Sequence, residues 1–98
     1  MYARVATFEG ADADKLRETA SQIREMAASG PPEGVKGTSF RLLINPDEGK
    51  TLAIGLFETE ADMKESHEVL EAMEPPIPGG MGKRTGVAMY EVAVDAEA

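Results

Sequence analysis

The chain of 98 residues has no cysteine, no tryptophan and a single histidine, His67. Without cysteine it can form neither a disulfide framework nor a thiolate metal site, and one histidine is too few for the usual transition-metal sites. No apolar run approaches the roughly 20 residues of a membrane-spanning helix, and the N-terminal segment lacks the apolar core of a signal peptide. We therefore expect a soluble, cytoplasmic protein without a bound metal or cofactor.

Basic residues are also scarce. The sequence has 18 acidic residues against 10 basic ones, which gives a net charge of −8. Such a charge repels nucleic acid and anionic membranes, and the few basic residues are scattered along the chain, so neither is expected as a partner. The carboxylates between residues 60 and 71 do not have the spacing of a calcium loop, and we expect them to form a solvated helix face.

The sequence does contain a regular order of strands and helices. Alternating apolar residues predict strands, and apolar residues at helical spacing predict helices. The predicted strands are 2–8, 35–45, 50–57 and 86–94, and the predicted helices are 12–29 and 60–73. This is the β1-α1-β2-β3-α2-β4 order of the ferredoxin-like split β-α-β fold, an α+β fold. We expect one domain, residues 1–98, in which two helices cover one face of a four-stranded antiparallel sheet.

Local signals support these boundaries. Asp12 or Asp14 can cap the first helix and Thr59 the second, because a side-chain oxygen at that position accepts a bond from a free backbone N–H. Gly30, followed by two prolines, predicts the end of the first helix. Segment 45–50, NPDEGK, has the residues of a tight turn and predicts a hairpin. The glycine-rich segment 79–86 fits neither a Walker nor a dinucleotide motif, so we expect it to be a mobile flap.

Strand alternation sorts the side chains into two sets. We expect the more apolar set under the helices: Val5, Phe40, Leu42, Ile44, Leu52, Ile54, Leu56, Tyr90, Val92 and Val94. The other set mixes apolar and charged residues, which is too apolar to remain in water. We expect it to form the interface of a homodimer, with Glu91 paired to Arg4 or Arg41; its members are Arg4, Phe8, Arg41, Leu43, Phe57, Met89 and Glu91, together with Tyr2.

Three segments carry a resemblance to a known superfamily. They are the opening YARVATFEG with its helix, the hairpin FRLLINPDEGKTLAIGLFETEADM and the terminal VAMYEVAV. In the hairpin, a strand ends in the aromatic Phe57 and is followed by a short polar turn and an acidic helix. This pattern resembles the antibiotic biosynthesis monooxygenase-like branch of the dimeric α+β barrel superfamily.

The resemblance implies two sheets packed face to face in a dimer, with helices outside and a ligand pocket between each sheet and its helices. Some members oxidise aromatic polyketides with dioxygen and no cofactor, and others degrade haem. The haem-degrading members rely on Asn, Trp and His. This chain has no tryptophan, and its only asparagine, Asn45, lies at the hairpin turn, so the resemblance assigns no catalytic residue.

The residues themselves suggest one candidate base and one candidate pocket. His67 falls on an apolar helical stripe between Met63 and Leu70, where we expect it to be at least half buried. As a general base it would take a proton from a phenolic substrate; as a structural residue it would satisfy a buried partner. We expect the pocket beside it to be lined by Tyr90, Phe40, Met63 and Leu70.

Two functions therefore remain open from the sequence. One is a cofactor-free monooxygenase-like enzyme that acts on a small aromatic or apolar substrate, with His67 as the base. The other is a non-enzymatic homodimer that binds a small ligand or only assembles. A cavity beside His67 would favour the first, and filled space there would favour the second.

Overall fold

The elements follow one another in the order β-α-β-β-α-β. A computed structural model describes residues 1–73 and 79–97 of the chain. The strands are β1 (Tyr2–Gly10), β2 (Ser39–Asn45), β3 (Lys50–Phe57) and β4 (Gly82–Glu91), and the helices are α1 (Ala13–Ala27) and α2 (Glu60–Ala72). This confirms the predicted ferredoxin-like fold.

The four strands form one antiparallel sheet in the order β2-β3-β1-β4. The hairpin places Leu43 opposite Leu52, and β1 lies between β3 and β4 with Arg4 opposite both Gly55 and Met89. The pairing of β1 with β4 shifts register between Thr7 and Phe8. Such an irregularity increases the local twist of the strand that carries the extra residue.

The helices begin where the sequence predicts. The Asp12 side chain accepts a 2.8 Å hydrogen bond from the Lys15 N–H, and the Thr59 hydroxyl accepts a 3.0 Å bond from the Asp62 N–H. Helix α1 ends at Ala27, and Gly30 follows with a φ of 91°. In the part of the chain that the structure describes, no helix is both long enough and apolar enough to cross a membrane.

Two strand boundaries differ from the prediction. Strand β2 begins at Ser39 rather than at residue 35, because the Lys36 N–H donates to the Ser66 hydroxyl of α2 and not to β3. Strand β4 runs over Gly82–Glu91 rather than 86–94, and it begins where Gly82 pairs with Gly10. The expected flap at 79–86 is therefore wrong for its last five residues, which belong to β4. Residues 74–78 of the predicted loop lie outside the described residues.

The contacts of Arg4 show which face of the sheet the helices cover, because its side chain bonds to His67 and Glu71 of α2. Residues that alternate with Arg4, or that pair with those residues, share its face. We call this the helix-covered face; its residues are Tyr2, Arg4, Ala6, Phe8, Phe40, Leu42, Ile44, Thr51, Ala53, Gly55, Phe57, Arg84, Val87, Met89 and Glu91. We call the other side the open face; its residues are Ala3, Val5, Thr7, Arg41, Leu43, Leu52, Ile54, Leu56, Ala88 and Tyr90.

The predicted assignment of residues to the two faces was wrong in several places. Five residues that we expected under the helices lie on the open face: Val5, Leu52, Ile54, Leu56 and Tyr90. Six that we expected opposite the helices lie on the helix-covered face: Tyr2, Arg4, Phe8, Phe57, Met89 and Glu91. Val92 and Val94 come after the end of β4.

The reason for these errors is the way the helices pack on β1 and β3. The helix-covered positions there include the small residues Ala6, Ala53 and Gly55, which let the helices approach the backbone, while the larger leucines and isoleucine of β3 point the other way. Phe57 fills the remaining space and is 1% exposed. A side chain at Gly55 would press against its ring, with a Cβ 3.2 Å away. Of the more apolar set, only the β2 residues Phe40, Leu42 and Ile44 thus lie on the helix-covered face.

Candidate functional site

Four charged or polar side chains form a connected cluster on the helix-covered face. Nε of Arg4 donates to Nδ1 of His67 over 2.9 Å, and Nη2 of the same guanidinium donates to Oε1 of Glu71 over 2.9 Å. Arg84 of β4 binds both carboxylate oxygens of Glu71 through its two Nη groups. The cluster therefore joins β1, α2 and β4.

Helix geometry explains why His67 and Glu71 meet the same arginine. They are four residues apart, so both lie on one side of α2. The Met63 and Ser66 side chains of the same helix are buried, which turns this side toward the sheet. Position 4 of β1 lies on the helix-covered face, so its long side chain reaches both residues. Strand pairing then brings Arg84 beside Phe8, within reach of Glu71.

The charges of the cluster support one another. Hydrogen bonds from Arg84 lower the pKa of Glu71 from 4.5 to about 2, against a smaller opposing effect of burial, and Arg4 lowers it further. Glu71 is therefore a carboxylate at neutral pH. Its hydrogen bond in turn raises the pKa of Arg84. Burial lowers the pKa of Arg4, whose side chain is 10% exposed, while Glu71 acts in the opposite direction.

His67 lies in this cluster with a side chain that is 27% exposed, in agreement with the expected burial. Its Nδ1 is 4.0 Å from Oε1 of Glu71, which is too long for a hydrogen bond, so Arg4 is its bonding partner. Nε2 has no hydrogen-bond partner within residues 1–73 and 79–97. The role of His67 as a catalytic base stays a prediction.

A cavity of about 240 Å³ opens between α1 and β2, at another part of the helix-covered face. Its lining consists of Ala20, Ile23, Arg24, Ala27, Phe40 and Leu42. Arg24 is the only charged residue among them, and its side chain makes no hydrogen bond or ion pair within the described residues. Phe40 is 49% exposed although it lies on the helix-covered face. Five of the six lining residues are thus apolar, and Arg24 places one cation at the wall of the cavity.

The structure divides the predicted pocket. Phe40 lines the cavity, whereas Met63 is buried in α2 and Leu70 is half buried in the same helix. Tyr90 lies on the open face and is 56% exposed, so the sheet separates it from His67. His67 is not among the residues that line the cavity.

The predicted interface residues are divided in the same way. Arg41 and Leu43 lie on the open face, as expected. Arg4, Phe8, Phe57, Met89 and Glu91 lie on the helix-covered face, so a partner at the open face would not meet them. Arg4 is instead bound to α2, and Phe57 belongs to the core.

The sequence did not predict that Glu71 and Arg84 belong to the cluster. It also did not predict that residues of α1 line the cavity. The spacing of His67 and Glu71 was visible, but the arginine that joins them comes from a strand far away in sequence. Within the described parts of the chain, no group of three or more His, Asp or Glu side chains is arranged to hold a metal ion.

No protein-family model matches this sequence, and no curated protein matches it either. Solved structures do match. The haem degrader MhuD from Mycobacterium tuberculosis, with two haems bound in its active site, is similar with a TM-score of 0.66 and 15% identity over 99% of this chain and 100% of that one. The chain thus shares its fold with this structure, in agreement with the fold that the resemblance of its sequence implies.

A second structure, of an MhuD mutant with two manganese protoporphyrin IX molecules per active site, gives a TM-score of 0.55 and 16% identity. It covers 99% of this chain and 98% of that one. Both matches extend over nearly the whole length of the two chains. At this level of identity they establish the fold of the α+β barrel protomer.

Proposed function

We propose that this chain binds a small, flat, apolar ligand on the helix-covered face of its sheet. The observation that carries the proposal is the cavity between α1 and β2, which is lined in part by Phe40, a residue that is 49% exposed. An aromatic side chain on the covered side of a sheet normally packs against other side chains. A flat ligand stacked on Phe40, between Leu42 and the alanines of α1, would supply that contact.

The size and lining of the cavity restrict the ligand. Its volume of about 240 Å³ lies just under the roughly 300–1,000 Å³ that small-molecule sites usually have. A ligand of one or two fused rings suits such a space. Arg24, as the only charged residue of the lining, favours a ligand with an oxygen acceptor such as a phenol, a quinone or a carboxylate.

Haem, which the similar MhuD structure holds, fits this cavity less well. None of the six lining residues is a histidine, cysteine, tyrosine or methionine, which are the usual axial ligands of haem iron. The only histidine is bound through Nδ1 to Arg4 and lies outside the lining. We therefore propose a ligand smaller than haem.

Two functions fit such a ligand: binding alone and cofactor-free oxygenation. The cavity lining favours binding alone. Cofactor-free oxygenation needs a base that forms a substrate carbanion, and the cavity lining holds no carboxylate, histidine or other base. The second candidate is cofactor-free oxygenation. The monooxygenase-like fold favours it, and so does His67, which is partly exposed on the same face. In that case the ligand must extend from the cavity toward α2.

A thermal-shift screen of naphthols, naphthoquinones and naphthoic acids tests the binding proposal, because a ligand of the folded state raises the unfolding temperature. Oxygen uptake measured with each compound that binds separates the two candidates. Binding without oxygen uptake supports a ligand-binding protein, and uptake that depends on His67 supports the enzyme. If no compound of this size and shape shifts the unfolding temperature, the proposal is wrong.

We also propose that a second copy of the chain covers the open face. Leu43, Leu52 and Tyr90 are 48%, 38% and 56% exposed there, beside the half-buried Ile54 and Leu56. Apolar side chains on the adjacent strands β2 and β3, with Tyr90 on β4 at the far edge of the sheet, are a large surface to leave in water. A copy that presents the same face would bury it, and the similarity to the barrel superfamily supports this arrangement.

A further inference from the structure

We propose that Arg4 fixes His67 in the tautomer that carries its proton on Nε2, so that the site offers a ligand an N–H donor for an oxygen atom. For the ligand, this inference rests on the proposed function above. For the histidine, it rests on the geometry of the cluster alone. It assigns His67 the role of a hydrogen-bond donor in place of the general base expected from the sequence.

The first step follows from the chemistry of the two side chains. A guanidinium group has five N–H donors and no acceptor. The 2.9 Å contact between Nε of Arg4 and Nδ1 of His67 is therefore a hydrogen bond only if Nδ1 has a free lone pair. A neutral imidazole has one proton, and with Nδ1 unprotonated that proton is on Nε2.

Arg4 is held in place by its own partners. Its Nη2 group is bound to Glu71, whose two oxygens are also bound by Arg84. The side chain of Arg4 is 10% exposed, so it has little room to turn away. Because the pKa of Glu71 is lowered to about 2, this carboxylate keeps its charge over the whole neutral range and continues to hold both arginines.

The other tautomer has no partner in this arrangement. A proton on Nδ1 would point at the Arg4 guanidinium, and the nearest acceptor, Oε1 of Glu71, is 4.0 Å away and already takes bonds from both arginines. The Nδ1–H of His67 would then face the Nε–H of Arg4, and two donors cannot bond to each other. The cluster therefore favours the Nε2–H form over the Nδ1–H form.

The third step concerns the free ring nitrogen. Nε2 has no hydrogen-bond partner within the described residues, and the ring is partly exposed. Two guanidinium groups and one carboxylate give the cluster a net positive charge, in a chain whose total charge is −8. A donor backed by positive charge suits a carbonyl, phenolate or carboxylate oxygen of the ligand.

Nitrogen-15 NMR of the imidazole ring tests the inference directly, because His67 is the only histidine and gives one set of signals. In alkaline buffer, where imidazole is neutral, we expect the pattern of a pure Nε2–H tautomer without any Nδ1–H form. In Arg4→Met we expect a mixture of the two tautomers, as in an unconstrained imidazole. Arg4→Lys keeps a donor and should restore the single form.

Wild-type protein with a mixture of tautomers, or with the proton on Nδ1, would overturn the inference. If Arg4→Met does not fold, Arg84→Met serves in its place, because loss of the bidentate bond releases Glu71 and with it Arg4. We expect a measurable share of the Nδ1–H form in that variant. An unchanged pure tautomer in every folded variant would show that the arginines do not control the ring.

Titration with 2-naphthoate and with naphthalene separates this inference from the proposed function. We expect naphthoate to extend from the cavity toward α2 and to shift the Nε2 resonance of His67, while naphthalene leaves that resonance unchanged. Binding of naphthoate without a shift would overturn the donor role alone. Failure of both compounds to bind would contradict the proposed function and leave the tautomer result standing.

Discussion

Leu43 of β2 lies directly opposite Leu52 of β3 on the open face, and both side chains are more than one-third exposed. Directly paired leucines in a sheet contact each other, so the pair forms part of a continuous apolar surface. Ile54 and Leu56 extend this surface along β3. No helix packs on it within the described residues, and its most economical cover is a second sheet.

Leu52→Glu tests that surface. A carboxylate at this position would have to be buried without a partner in the dimer, so we expect the variant to be monomeric at micromolar concentrations where the wild type is dimeric. Sedimentation velocity measures the oligomeric state of the variant and of the wild type. Met26→Glu is the control, because Met26 is 47% exposed on α1, away from the sheet. A monomeric wild type at these concentrations would show that the open face needs no partner.

Glu71 predicts a particular dependence of stability on pH. Its pKa is about 2 in the folded protein against 4.5 in the unfolded chain, so the folded state favours the ionised form. This contribution is fully present above about pH 4.5 and is lost as the pH falls from there to about 2. Glu71→Gln should therefore be less stable than wild type at neutral pH and lose less stability on acidification.

Urea unfolding between pH 2 and pH 7 measures this difference. Glu68→Gln is the matched control, since it removes an exposed carboxylate of the same helix that has no ion pair within the described residues. We expect its stability to change with pH in parallel with the wild type. The same flattening in both variants would mean that the arginines do not stabilise Glu71.

Two buried hydroxyl groups should respond in opposite ways to removal. Ser66 accepts a 2.8 Å bond from the Lys36 N–H, whereas the hydroxyl of Thr19 is buried without a partner in the described part of the chain. Ser66→Ala removes this part-buried hydrogen bond and should lower the free energy of unfolding by about 0.5–1.5 kcal/mol. Thr19→Val removes an unsatisfied group, and we expect it to be neutral or to stabilise by up to about 1 kcal/mol.

Chemical unfolding of both variants decides this contrast. Ser21→Ala, an exposed change in α1, measures the gain that alanine brings to a helix by itself. Equal effects of Ser66→Ala and Ser21→Ala would show that the bond to Lys36 contributes nothing. A large loss in Thr19→Val would show that its hydroxyl has a partner.

Gly82 begins β4 and is expected to tolerate no side chain. Its φ is 86°, and an added Cβ would collide with the carbonyl group of Glu9 on β1. Gly30 has a similar φ of 91° but open space around it. Gly30→Ala should therefore cost only about 1–2 kcal/mol for the backbone conformation, and Gly82→Ala should cost clearly more. Equal losses in thermal unfolding would mean that β1 and β4 separate easily at this end.

The sequence was sufficient for the fold because each element has its own local signal. Asp12 and Thr59 cap the helices as expected, and the order of the elements follows from periodicity. The assignment of the sheet faces failed because both faces are apolar. Alternation shows which residues of one strand share a side, but not which side of each strand meets the helices, so β2 was assigned correctly and β1, β3 and β4 were reversed.

The candidate site was predictable only in part. The apolar stripe of α2 correctly turns His67 toward the sheet. Its partner Arg4 was expected in a dimer interface, because an arginine in a strand looks out of place in a core. The four-membered cluster compensates this charge by burying it together with Glu71, and such long-range pairing cannot be seen in one sequence.

The central claim is that a small apolar ligand occupies the cavity between α1 and β2. Ala20→Leu fills that cavity from α1, while Ala72→Leu adds the same atoms at an exposed position of α2 that does not line it. Calorimetric titration with the tightest ligand of the naphthyl series compares both with wild type. We expect Ala20→Leu to fold and to bind at least tenfold more weakly, and Ala72→Leu to bind like the wild type. Unchanged affinity in Ala20→Leu would contradict the claim.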